Sequence, residues 1–73
     1  MDTLDLRGLR CPLPLLRLKQ ALHQRTTGDE VSVLTTDSGA LRDIPAFLRQ
    51  AGHELLDQRT ADSGETAFHI RKG

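Results

Sequence analysis

The sequence predicts a fold of the α+β class, a two-layer α/β sandwich in which two helices cover one face of a mixed four-stranded sheet. Three observations carry that expectation. Apolar and polar residues alternate in short segments, apolar residues recur at spacings of three and four in two longer segments, and the elements follow one another as β-α-β-α-β-β without repeats or low-complexity stretches. At 73 residues the chain is too short for a second domain, so residues 1–73 are expected to form one unit.

Residues 3–7 alternate, with Leu4 and Leu6 on one face of a half-buried strand, and Gly8 ends the run. In residues 12–26, Leu15, Leu18, Ala21 and Leu22 converge on one side of a helix that Thr27-Gly28-Asp29 closes. Glu30 to Thr36 returns to strand character, with Val31, Val33 and Thr35 facing one way and Leu34 the other. A second helical pattern groups Leu41, Ile44, Leu48 and Ala51 and stops at Gly52. Its start has two readings: Asp37 or Ser38 begins the helix and Pro45 kinks it, or Asp43 caps a shorter helix with Pro45 in its first turn. His53 to Ala61 forms a third strand, Asp62-Ser63-Gly64-Glu65 a turn, and Thr66 to Lys72 a fourth strand with Phe68 and Ile70 inward. The right-handed crossover makes the first β-α-β unit parallel, and the short last turn makes the final two strands antiparallel.

With 37% hydrophobic residues, thirteen leucines and only two phenylalanines, the core must be built from branched aliphatics. A chain of this size buries about 60% of its unfolded surface, which leaves little room for an enclosed substrate cavity, so function is expected on the surface. Ten basic and ten acidic side chains cancel, which removes the global field that nucleic-acid or anionic-membrane binding exploits. Residues 1–25 carry a net +3 and the remainder a net −3. No run approaches a membrane span, and Met1-Asp2-Thr3-Leu4-Asp5 lacks the basic start of a secretory signal, so the cytoplasm is the expected location. A single cysteine makes neither an internal disulfide nor a multi-thiolate zinc site, and neither a metal nor another cofactor is expected.

Cys11 stands in Arg7-Gly8-Leu9-Arg10-Cys11-Pro12-Leu13-Pro14, where the first strand passes into the first helix. Proline is favoured at the first helical position, which places Pro12 there and Cys11 at the cap, with Pro14 still in the first turn. Pro12 also disfavours the helical region for Cys11, which suits a cap residue. The N–H groups left free, those of Leu13 and Leu15, are then expected to point at the sulfur at the positive end of the helix dipole. Thiolates at helix N-termini near basic groups have pKa values below the free value of about 8.5, and Arg7 and Arg10 are close in sequence. These features predict an exposed, nucleophilic thiol. A lone cysteine is more often a small buried apolar residue, but a strand-to-helix junction flanked by arginines is a surface environment. Leu13 and Leu16 point away from the buried stripe, beside Arg17 and near Lys19, and are expected to be exposed as a partner-docking patch.

On these residues the chain resembles the TusA/SirA-like family of sulfur carrier proteins over nearly its whole length. Leu4-Asp5, the run Arg7 to Pro14 with its Cys-Pro-x-Pro element, Lys19, Asp43-Ile44-Pro45, Gly52-His53-Glu54-Leu55 and Ile70-Arg71-Lys72-Gly73 match that family's pattern. After Asp37, Ser38-Gly39 stands where the family often has proline, in a loop expected near the sulfur. The resemblance implies the same sandwich and a persulfide on Cys11. It further implies a cysteine desulfurase or other sulfur donor, an acceptor sulfur-relay protein with a reactive cysteine, and tRNA 2-thiouridine synthesis or related sulfur transfer as the pathway. The missing second cysteine argues against a thioredoxin-like oxidoreductase and for a carrier without autonomous turnover. Two other classes share some of these features. A redox-sensing interaction module would use the same thiol. An RNA-binding domain like the C-terminal domain of translation initiation factor 3 would share the element order, but neutral charge and the lack of an aromatic platform oppose direct nucleic-acid binding. His23, His53 and His69 are distant in sequence from Cys11 and are expected to be solvated or hydrogen-bonded.

Overall fold

The computed structural model describes residues 2–73; Met1, where the reading of a missing secretory signal begins, lies outside them. The elements are β1 (Asp2–Leu6), α1 (Leu13–His23), β2 (Glu30–Thr35), α2 (Ala40–Ala51), β3 (Glu54–Thr60) and β4 (Thr66–Arg71). The strands form one mixed sheet in the order β1-β2-β4-β3, with β1 parallel to β2 and the other two pairings antiparallel. The predicted element order and sheet type are therefore present.

Alternation sets the buried face. Val31, Val33 and Thr35 of β2 pair with Ile70, Phe68 and Thr66 of β4, and all six are buried. Leu18 and Leu22 of α1 and Ala40, Ile44 and Leu48 of α2 close over that face in a single cluster that also holds Leu6. Because both helices share one core, both lie on the same side of the sheet. The other side carries the partly exposed Ser32, Leu34, Ala67 and His69, as expected of a sheet solvated on one face. Burying each large aliphatic or aromatic side chain contributes about 1.5–3 kcal/mol, and Phe68 is the largest of the fully buried side chains in this cluster.

The second helix differs from its predicted stripe. Ala40, not Leu41, turns inward; Leu41 is exposed, and so is Ala51 at the other end. The helix begins at Ala40 after Gly39, so Asp43 is not its cap, and Pro45 lies inside it. Pro45 withholds a donor only from the carbonyl four residues back, at the N-terminal end where Gly39's carbonyl accepts from both Arg42 and Asp43. Gly52 ends α2 at φ +83°, a conformation that disfavours any side chain, and the next N–H, that of His53, returns to the Leu48 carbonyl at 2.9 Å. β3 is an exposed edge strand with a bulge between Leu55 and Asp57.

Candidate functional site

Parallel pairing of β1 with β2, in the register Leu6 opposite Thr35, brings the C-terminal ends of both strands to the same edge. The turn into α1 and the turn into α2 therefore lie side by side, the place where open α/β sheets present functional residues. The Gly8 N–H donates to Thr36 Oγ1 at 2.9 Å and ties the two turns together. The Asp37 N–H donates to the hydroxyl of buried Thr35 at 3.3 Å, which fixes the start of the second turn.

Cys11 is exposed at this junction. A cleft of about 10 Å³ beside it is lined by Cys11, Pro12, Pro14, Leu15, Asp37, Ala40 and Asp43, with room for one water-sized atom. Its sulfur donates to Asp43 Oδ2 at 3.7 Å. Gly39 permits the close approach. A Cβ at that position would stand 3.0 Å from Asp37 Oδ2, 3.8 Å from Cys11 Cβ and 3.9 Å from Asp43 Oδ2. Its φ of −64° is ordinary, so the requirement for glycine here is space.

The local backbone corrects the predicted cap. Helix α1 starts at Leu13, Pro12 is the N-cap residue and Pro14 the second helical residue, so Cys11 precedes the cap. The Leu13 N–H goes to the Arg10 carbonyl at 2.8 Å, closing a turn around the cis Cys11–Pro12 peptide, and is not free to reach the sulfur. The first intrahelical bond runs from the Leu16 N–H to the Pro12 carbonyl at 3.1 Å.

The electrostatics are also opposite to the expectation of a thiolate stabilised by arginines. Withdrawal from water in the cleft pushes the Cys11 thiol up, and the charge and hydrogen bond of Asp43 and the charge of Asp37 push it the same way. Arg7 does not face the sulfur: it binds Asp5 at 2.8 Å and Glu65 at 3.2 Å. That pairing holds the Asp5 carboxyl down at about 2, through the Arg7 side chain first and its backbone N–H second. Arg10 is exposed on a neighbouring depression shared with Gly8, Leu9, Thr36, Asp37 and Ser38.

Leu13 and Leu16 are 44% and 45% exposed, as the helical arithmetic required, and Arg17 is exposed beside them. Lys19 is exposed as well, but its ammonium lies 5.2 Å from the centre of the Phe47 ring, an intramolecular cation–π contact. Reasoning from the sequence did not single out Asp37, Gly39, Ala40 and Asp43 as lining the site. The loop after Asp37 was expected near the sulfur and is there; the carboxylate of Asp43, 32 residues from Cys11, gave no local signal. Of the histidines, His69 pairs with Glu30 at 2.8 Å and His53 accepts the Gly73 N–H at 3.1 Å. Among the described residues no group of three His, Cys, Asp or Glu side chains is placed to hold a metal ion. Among the described residues no helix is long and apolar enough to cross a membrane.

Comparison with known proteins agrees with this geometry. The family model described as "Sulfurtransferase TusA" matches residues 2–72. A Neisseria meningitidis serogroup A protein, named as a candidate sulfur carrier, is 56% identical over 61 residues, covering 84% of this chain and 82% of its own. The sulfur carrier protein TusA of Allochromatium vinosum is 41% identical over 69 residues, covering 94% of this chain and 90% of its own. Among solved structures, the crystal structure of a SirA-like protein from Desulfitobacterium hafniense superposes with a TM-score of 0.84 at 27% identity, covering 100% of this chain and 99% of that one. An exposed lone cysteine at the edge of this sandwich, in a chain matched from end to end by that family, places the protein plainly: it belongs to the TusA family of sulfur carrier proteins.

Proposed function

We propose that Cys11 is the sulfur-carrying residue and that the protein relays sulfane sulfur between a donor and an acceptor protein in the cytoplasm. The observation that carries this reading is the exposed Cys11 sulfur at the junction of two turns, with Leu13 and Leu16 open beside it on the first two turns of α1. In the loading step the Cys11 sulfur, as thiolate, attacks the outer sulfur of a persulfide on the donor. The bond between that sulfur and the donor cysteine breaks, and the donor leaves as a thiolate that takes up a proton. In the unloading step a cysteine of the acceptor attacks the same outer sulfur and returns Cys11 to the thiol. The family resemblance supports a cysteine desulfurase as the donor and a cysteine-bearing relay protein as the acceptor.

Within this scheme Pro12 and Pro14 rigidify the turn, and Leu15 forms the inner wall of the cleft. Leu13, Leu16 and Arg17 form the docking surface, with Lys19 at its border. Arg7 acts at a distance, by tying β1 to the β3–β4 turn through Glu65. Arg10 borders the site without touching the sulfur. The pathway we infer is tRNA 2-thiouridine synthesis. In cells whose own copy is replaced by Cys11→Ser, 2-thiouridine in tRNA should fall sharply and return with the wild-type chain; an unchanged level contradicts this pathway.

A further inference from the structure

We propose that Asp43 and Asp37 act as a charge filter at Cys11, slowing the approach of small anionic thiols to the sulfur relative to neutral reagents. This rests on the reading that Cys11 carries sulfane sulfur, and it adds which solution nucleophiles are held off while the sulfur is in transit. Three observations carry it. The Asp43 carboxylate touches the reacting atom, with Oδ2 3.7 Å from Sγ. Both carboxylates and the stem of Cys11 converge on Gly39, within 3.0–3.9 Å of the point its Cβ would occupy. The cleft between them holds about 10 Å³, so an incoming atom that enters it passes beside the carboxylates.

Compensating positive charge is weak at this point. Arg42 Nε reaches the other oxygen of Asp43 at 4.0 Å from a side chain that is 91% exposed, a contact that water and salt screen. Arg7 is engaged by Asp5 and Glu65. Arg10 shares the adjacent depression with Asp37, but among the described residues it makes no ion pair with either carboxylate.

The reaction the filter opposes is a simple transfer. The thiolate of a small molecule bonds to the outer sulfur of the Cys11 persulfide, the bond from that sulfur to Sγ breaks, and Sγ keeps the electron pair and takes a proton from water. Glutathione and similar thiols bring carboxylates of their own, so they approach two charges of the same sign. A neutral reagent meets no such repulsion.

The test compares two alkylating agents on the unloaded protein, neutral iodoacetamide and anionic iodoacetate, each rate normalised to the same reagent on N-acetylcysteine amide. At low salt the wild-type protein should favour the neutral agent by roughly fivefold, as expected for like charges about 5 Å apart in water. Added salt should shrink that preference. Asp43→Asn should bring the two normalised rates within about twofold. Its effect on thiol ionisation raises both rates alike and so cancels in the ratio. Asp37→Asn serves as a second variant if Asp43→Asn does not fold. A ratio near one in the wild type, or one that neither salt nor either variant moves, overturns the proposal. The alkylation ratio needs no bound sulfur, whereas loading from a desulfurase tests the relay, so the two readings fail separately.

Discussion

The Sγ of Cys11 donates to Oδ2 of Asp43 across 3.7 Å, joining the turn before α1 to the first turn of α2. This contact adds to withdrawal from water, the larger cause, in favouring the protonated sulfur. Withdrawal from water first, then the charge and hydrogen bond of Asp43 and the charge of Asp37, push the Cys11 thiol up and favour the thiol over the thiolate. For the proposed relay, the exposed Cys11 is reachable but must lose its proton before it attacks a donor persulfide.

The pH dependence follows directly. Since the thiol is raised, the thiolate fraction near neutral pH is smaller than in free cysteine, and the alkylation rate should keep climbing with pH beyond the ordinary thiol midpoint. Asp43→Asn removes the neighbouring charge and should move that midpoint down. Rates of iodoacetamide labelling followed by mass, from pH 6 to 10, check both statements; a wild-type midpoint below that of free cysteine contradicts them.

Gly39 gives a steric prediction. Its backbone is helical, so a side chain is tolerated in conformation, but the Cβ would stand 3.0 Å from Asp37 Oδ2 and 3.8 Å from Cys11 Cβ. Gly39→Leu has to push the Asp37 carboxylate aside and should lower stability by roughly 1–3 kcal/mol, the scale of overpacking, while still folding. It should slow labelling of Cys11 by covering the cleft. Labelling as fast as wild type would show that the cleft is not the route to the sulfur.

The proposed docking surface is tested by charge reversal. Leu16 is 45% exposed and Arg17 is exposed, so neither Leu16→Glu nor Arg17→Glu removes a core contact, and thermal stability should change little. Transfer of sulfur from a desulfurase should slow in both. Wild-type transfer kinetics in both variants would remove this face from the interface.

Asp5 reports on the edge of the sheet. Its carboxyl, held down to about 2 by Arg7, should titrate well below the ordinary 3.8, and Arg7→Gln should return it towards that value. Because the folded-state value is depressed, the stabilisation is present above the ordinary value and is lost as pH falls from there through about 2. Carboxyl carbon shifts followed by NMR provide the measurement.

Much of the fold was legible because period-two patterns are local. Val31, Val33 and Thr35 announced the inner face of β2, and Phe68 and Ile70 that of β4. The second helix was less legible. Leu41 fitted the apolar stripe by type, yet the small Ala40 takes the inward position and leaves Leu41 39% exposed. At the site, the exposure of Leu13 and Leu16 followed from helix geometry, and that of Cys11 from its place at a strand-to-helix junction. The charge around the sulfur did not. Arg7 and Arg10 were near Cys11 in sequence, but strand β1 turns Arg7 towards Asp5 and Glu65, while parallel pairing with β2 brings Asp37 and Asp43 across from a distant segment. Sequence proximity ranked the wrong charges first because tertiary pairing sets which turns are neighbours.

The central claim is that Cys11 accepts one sulfur atom and gives it up again. Incubation with a cysteine desulfurase and free cysteine, followed by intact mass and peptide mapping, measures this directly. One added sulfur, located on the peptide containing Cys11, removable by reductant and absent from Cys11→Ser, is the predicted result; an adduct that persists in Cys11→Ser would contradict the account.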